Sequence, residues 1–200
     1  METLLKPGYE KILNLFYQDP SAKIHLRAIA RKTKLNANSV SRFLKTLESN
    51  KLLTAKKDGN LKKYELIKSD KAYSILSCFD IARLNTLQNI RKNAILYFLN
   101  HLIEKPIIAV LFGSTAKNTY TARSDIDLLL IVNKKLQTKA AENYADAQTA
   151  IKISCFQITF REFKEELRLK HDHVVQAALS TGYPLTNHIE YYRAVNNESI

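Results

Sequence analysis

Apolar residues recur at positions 9, 12, 13, 15, 16 and 17, the spacing of a helix with one buried face, and Asp19-Pro20 ends that pattern. Leu26, Ile29 and Ala30 then fall at i, i+3 and i+4, Lys34 and Leu35 carry a short turn, and Asn36 stands where a helix cap belongs. Val40, Phe43, Leu44 and Leu47 form the next apolar stripe. The period then changes. Leu52 to Lys57 and Leu61 to Ile67 read as extended runs on either side of Asp58-Gly59-Asn60, a strong hairpin signal. From Ser69 to His101 the chain is rich in Leu, Ile and Ala and free of Gly and Pro, which predicts one or two helices. Further on, Ile107 to Phe112 and Leu128 to Val132 are continuous apolar runs, each expected to be a strand buried on both faces.

Three helices followed by a hairpin is the order of a winged helix-turn-helix. With Val40, Leu44 and Leu47 buried, Asn38, Ser39, Ser41, Arg42 and Lys45 face outward. These are short hydrogen-bonding groups for base edges, with cations for phosphate, as a major-groove helix requires. Lys56, Lys57, Lys62 and Lys63 flank the hairpin tip, where a wing meets phosphates or the minor groove. Double-stranded DNA is therefore the expected partner of this region. Small winged modules also mediate protein contacts, and lysine-rich hairpins also serve as solvated sheet edges.

In the second half, the strand ending at Phe112 runs into Gly113-Ser114, where glycine allows close backbone approach and a hydroxyl stands ready for phosphate. Ser124-Asp125-Ile126-Asp127 leads directly into the other apolar strand. Alternate strand residues point to one side, so Asp125 and Asp127 can bring two carboxylates onto one hard cation.

The run GSTAKNTYTARSDIDLLLIV resembles the signature of the nucleotidyltransferase superfamily that includes DNA polymerase beta, especially its minimal members; Gly113, Ser114, Ala116, Lys117, Ser124, Asp125 and Asp127 match the pattern. The resemblance implies an α/β domain with a mixed sheet. It implies a nucleoside triphosphate, ATP being the expected one, bound by Gly113, Ser114 and Ser124. It also implies Mg²⁺ or Mn²⁺ on the catalytic pair Asp125 and Asp127, and transfer of a nucleoside monophosphate to a hydroxyl with loss of pyrophosphate. Winged-helix proteins fused to such a domain are a prokaryotic, largely archaeal architecture, and the tail from Phe160 through Tyr191-Tyr192 resembles theirs.

Two positions depart from the pattern. Asn118 replaces a frequent glycine, a tolerable exchange because Asn reaches left-handed backbone more easily than most residues. The third carboxylate of the family comes from a later strand, and the matching run, residues 151–159, has no acid. Gln157 could take its place, though an amide is a poor base. Glu142, Asp146 and Glu162 are alternatives, more simply read as solvated helical acids. His171 and His173 do not share a helix face, Cys155 reads as a core residue, and Tyr191-Tyr192 read as packing rather than stacking groups.

Composition adds charge to this picture. Thirty-one Lys+Arg against 19 Asp+Glu give +12, which invites a polyanion, and 46% apolar with 25% charged residues is ordinary for a globular chain. Residues 1–70 hold 15 basic and 7 acidic residues, so two thirds of the excess lies in the first third. Two cysteines, no apolar leader and no apolar run near ~20 residues predict a reduced, cytoplasmic protein without a membrane partner. The expected organisation is a winged helix-turn-helix over 1–68, a helical connector over 69–104 and an α/β nucleotidyltransferase-like domain over 105–200, with a homodimer formed through the connector. The leading functional expectation is a DNA-binding regulator carrying a nucleotide- and Mg²⁺-binding transferase domain. Its alternatives are an enzyme that uses the winged helix to find its acceptor, and a catalytically dead sensor or dimerisation module.

Overall fold

A computed structural model describes residues 6–197, and the chain divides into two compact units between Phe79 and Asp80. In the first unit, α1 (Pro7–Gln18) opens on a proline, which suits a first turn because its missing N–H had no helical partner there. Ile12, Leu13 and Phe16 are buried on its inner face. A two-residue strand, β1 (Ile24–His25), precedes α2 (Leu26–Thr33), which ends on Lys34 in left-handed backbone at φ 56°. The cap expected for α3 (Ala37–Ser49) is formed: the Asn36 side chain accepts from the Asn38 N–H at 2.8 Å. Helices α1 and α3 approach closely at Gly8, where an added Cβ would lie 2.4 Å from the Phe43 ring.

The hairpin consists of β2 (Leu53–Asp58) and β3 (Leu61–Leu66). Asp58 pairs with Leu61, leaving Gly59-Asn60 as a two-residue turn with Gly59 at φ +57°. The sheet order is β1-β3-β2. Three helices and a hairpin stand in the expected order; β1, too short to show a period, was not legible in advance.

Helix α4 (Asp70–Thr86) spans the division. Helix α5 (Asn89–His101) does not bridge: Ala94, Ile95, Phe98 and Leu102 join Leu111, Leu128 and Leu130 in the core of the second unit. Residues 69–104, expected as a helical connector, are helical over α4 and α5, and α5 carries an apolar stripe that covers one sheet face of the second unit.

That sheet is mixed, in the order β6-β5-β4-β7. Its strands are β4 (Ile108–Phe112), β5 (Ile126–Val132), β6 (Ile153–Thr159) and the short β7 (Tyr183–Pro184). Strands β4 and β5 are antiparallel; β5 and β6 are parallel and are joined by the crossover helix α7 (Lys139–Thr149). Ile126, Leu128 and Leu130 face α5 and α7 within one buried cluster. The opposite face meets α8 (Phe160–Leu169) and α9 (His173–Thr181), which bury Phe163, Val175 and Ala178; α10 (His188–Asn197) closes the described chain. Truncating Phe98, fully buried, would cost ~3–5 kcal/mol. Among the described residues no helix is long and apolar enough to cross a membrane.

Candidate functional site

Strand β4 ends at Phe112, paired directly with Asp127 on β5. The next residue, Gly113, takes φ +70° and opens the single-turn helix α6 (Gly113–Ala116). Two constraints fix glycine here: the left-handed backbone, and a carboxylate oxygen of Asp127 that would lie 2.1 Å from an added Cβ. The Gly-Ser turn and the second aspartate therefore touch, although twelve residues separate Ser114 from Asp127.

Asp125 is exposed and Asp127 half-buried. Burial, and secondarily the charge of Asp125, hold the Asp127 carboxyl above the usual aspartate range. The Ser124 hydroxyl accepts from the Thr121 N–H at 2.9 Å, so it closes the turn leading into β5. Asn118 occupies left-handed backbone at φ 57°, the conformation its usual glycine counterpart would supply.

The parallel register decides the question of the third acid. Ser154, not Gln157, lies opposite Asp127, and its hydroxyl reaches an Asp125 carboxylate oxygen at 3.3 Å. Gln157 pairs with Leu130 further along the strand and is committed elsewhere: its side chain accepts from the Leu136 N–H at 2.8 Å and donates to the Leu136 carbonyl at 3.1 Å. Glu142 lies on α7, across the sheet, accepting from Thr138 at 2.8 Å. Asp146 is on the same helix. Glu162 closes the capping box of α8 with Thr159, at the far end of β6. Among the described residues no group of three or more His, Cys, Asp or Glu is placed to hold a metal, His171 and His173 included. Burial pushes the Cys155 thiol up to about 12, with Glu142 adding to the shift, which keeps it unreactive. Tyr191 and Tyr192 are buried, and the Tyr192 hydroxyl donates to the buried Asp80 carboxylate at 2.9 and 3.0 Å.

Arg91 was missed by sequence reasoning. Only 2% exposed, it donates to the Thr115 hydroxyl at 3.0 Å and to the carbonyls of Thr121 and Ser124 at 2.9 and 2.8 Å, while Tyr120 stacks over its guanidinium at 4.0 Å. One side chain thus ties α6 to the loop that delivers Asp125. An arginine within an apolar helical stretch gives no periodic signal of such a role.

In the first unit, Asn38, Ser41, Arg42 and Lys45 are exposed on α3 and Ser39 is half-buried, so the five residues share the outward face of one helix. The four wing lysines are not equivalent. Lys56 pairs with Glu65 at 2.5 Å and Lys63 with Asp58 at 2.8 Å, Asp58 also meeting His25 at 3.3 Å. The hydrogen bond from Lys63, foremost, lowers the Asp58 carboxyl. Lys57 and Lys62 pair with each other across the hairpin on its opposite face, both exposed.

The second unit thus sets a glycine turn against an Asp-x-Asp strand within a mixed sheet. Residues 92–179 match the family described as Polymerase beta, Nucleotidyltransferase. No curated protein matches the chain. A solved structure described as "Crystal structure of the toxin-antitoxin with AMP-PNP" is 19% identical over 56% of this chain and 85% of its own, with a TM-score of 0.39, too slight a likeness to bear on function.

Proposed function

We propose that the second unit moves a nucleoside monophosphate from a nucleoside triphosphate, ATP first among them, to an acceptor hydroxyl, and that the first unit binds duplex DNA as the targeting or regulatory half of the protein. The contact between Asp127 and the Gly113 turn carries this reading, because it sets backbone where triphosphate must pass beside a carboxylate pair. Asp125 and Asp127 fit Mg²⁺ or Mn²⁺: two carboxylates, one held above the usual range by burial and secondarily by its neighbour's charge, gain from a cation that offsets both. Such an ion would neutralise charge on the phosphates. Gly113 gives the phosphates room, Ser114 offers its hydroxyl, and Arg91 keeps Ser124 and Asp125 in register with α6.

In the transfer, the acceptor oxygen forms a bond to the α-phosphorus, the bond from that phosphorus to the bridging oxygen breaks, and pyrophosphate leaves. The hydroxyl proton must pass to a base. Ser154 stands where a third carboxylate would help, and a serine hydroxyl is a poor base. General-base assistance is worth about 10²–10⁴ in rate, so turnover is slow while nucleotide binding persists. A second reading, binding without turnover, is favoured by that same serine. Calorimetry of ATP with Mg²⁺ tests the site: the native chain binds, and Asp125→Asn with Asp127→Asn does not. Binding that survives the double substitution overturns the assignment.

The α3 face and wing support duplex DNA binding by the first unit. A homodimer through the helical region fits the exposed Ile90, Leu96 and Tyr97 on α5. A monomeric mass by light scattering at micromolar concentration would exclude it.

A further inference from the structure

A cavity of about 650 Å³ opens beyond the carboxyl ends of the parallel strands β5 and β6, at the end of the sheet opposite Asp125 and Asp127. Asn133, Thr159, Phe160, Arg161, Lys164 and Arg168 line it. The three cations fall at i, i+3 and i+7 of α8, one helix face extending over about 10 Å at 1.5 Å per residue. Glu165 is the one acid in the lining, and it is already paired with Arg161 at 3.3 Å. Lys164 lies 5.1 Å from the Phe160 ring centre, so charge and an aromatic face adjoin. The N-terminus of α8 is closed by its own Glu162, which leaves anion recognition to the side chains.

We propose that this groove binds the sugar-phosphate backbone of a single-stranded polynucleotide. Cations repeating along one line match a chain of phosphates better than a single anion, and a positive groove with an aromatic member is how single strands are held without sequence preference. A duplex is the less suitable form, since one helix face offers one row of charges. The groove lies five residues along β5 from Asp127, about 17 Å at ~3.3 Å per residue. A bound mononucleotide cannot occupy both places, so the groove is a separate site and does not depend on the transfer reaction.

The test uses the full chain with fluorescent oligouridylate and oligothymidylate of about 20 nucleotides, followed by anisotropy over a salt series. The Arg161→Ala, Lys164→Ala, Arg168→Ala triple variant should make the slope of log K against log salt shallower by about 1.4 to 2, at ~0.7 per phosphate contact with Arg161 counting for less because Glu165 holds it, and weaken binding about 25- to 100-fold at 0.1 M salt. Preference for one strand over the other tells whether the 2′-hydroxyl is read. Arg42→Ala with Lys45→Ala should leave single-strand binding intact, and Asp125→Asn with Asp127→Asn should do the same, so failure of the transferase reading is distinguishable. Lys164→Gln alone is the milder variant, expected to remove one contact. An unchanged circular dichroism spectrum and melting transition show that each variant is folded. An unchanged salt slope in the folded triple variant overturns the proposal, as does tighter binding of a fluorescent oligoglutamate, which would mark an acidic protein partner.

Discussion

The two units handle charge in opposite ways. The first displays it: Arg42 and Lys45 project from α3, and even the paired lysines of the hairpin stay at the surface. The second buries its decisive groups: Arg91 is sealed under Tyr120, Asp80 accepts from Tyr192 with no exposure, and Asp127 is half withdrawn against Gly113. Display suits a partner that is itself a surface, because exposed ions exchange water and counterions at little cost. Burial suits geometry, because a buried donor fixes whatever it touches and leaves it costly to release.

The largest effect expected of this contrast is at the aspartates. Asp125→Asn with Asp127→Asn should weaken Mg²⁺-dependent ATP binding more than 100-fold by calorimetry while leaving duplex DNA affinity unchanged. The pH dependence follows from the raised Asp127 carboxyl. A proton competes with the cation for that oxygen, so ATP·Mg²⁺ affinity should fall on acidification at a pH above the ordinary aspartate value of about 3.9. The stability effect has the opposite sign. A native carboxyl raised above its unfolded value binds protons preferentially, so its ionised form costs stability at neutral pH and the cost is relieved as pH falls through the native value. Asp127→Asn should therefore raise the melting temperature of the ligand-free protein even as it abolishes binding.

Arg91→Ala should follow, costing about 3 kcal/mol in a denaturant titration, because it removes a buried side chain that bonds the Thr115 hydroxyl and the Thr121 and Ser124 carbonyls. Arg42→Ala should stay within about 0.5 kcal/mol, being exposed, yet weaken duplex binding. Equal stability losses would break the comparison between displayed and buried charge.

The same contrast explains what could be read in advance. Asn36, the Val40–Leu47 stripe and Gly59 are local signals, each acting within one turn of helix or one hairpin, and each appears where the residues implied. The expectation for Asp125 and Asp127 rested on strand alternation, which is local too; Asp127 stands on β5 and Asp125 just before it. Ser154 and Arg91 were not. Which residue of β6 faces Asp127 depends on the register of a parallel pair joined through a whole helix, and nothing in residues 151–159 states that register. Arg91 acts on partners 24 to 33 residues away, a spacing without a period.

Register therefore sharpens the next experiment. Ser154→Asp should raise Mg²⁺ affinity about tenfold by adding a carboxylate beside the pair, and should speed transfer if an acceptor is supplied. Gln157→Glu should do neither. It forfeits the bond to the Leu136 carbonyl and should cost about 1–2 kcal/mol in stability instead. Faster transfer in Gln157→Glu than in Ser154→Asp would show that the register assigns the wrong residue.

The smallest expected effect lies within the hairpin. If charge in the first unit works by display, then lysines already bonded to carboxylates release fewer counterions on meeting phosphate than those without such bonds. Lys57→Ala and Lys62→Ala should each make the slope of log K against log salt for duplex DNA shallower by about 0.9. Lys56→Ala and Lys63→Ala should change it less, because Glu65 and Asp58 hold those ammonium groups and the pairs must be broken before phosphate can be met. The control is removal of the competitor. Asp58→Asn should raise DNA affinity by freeing Lys63 and His25, and the gain should vanish in the Lys63→Ala background. Salt slopes that are equal for all four lysines would mean that the pairs dissolve on binding, and that display in this unit is set by the DNA rather than by the fold.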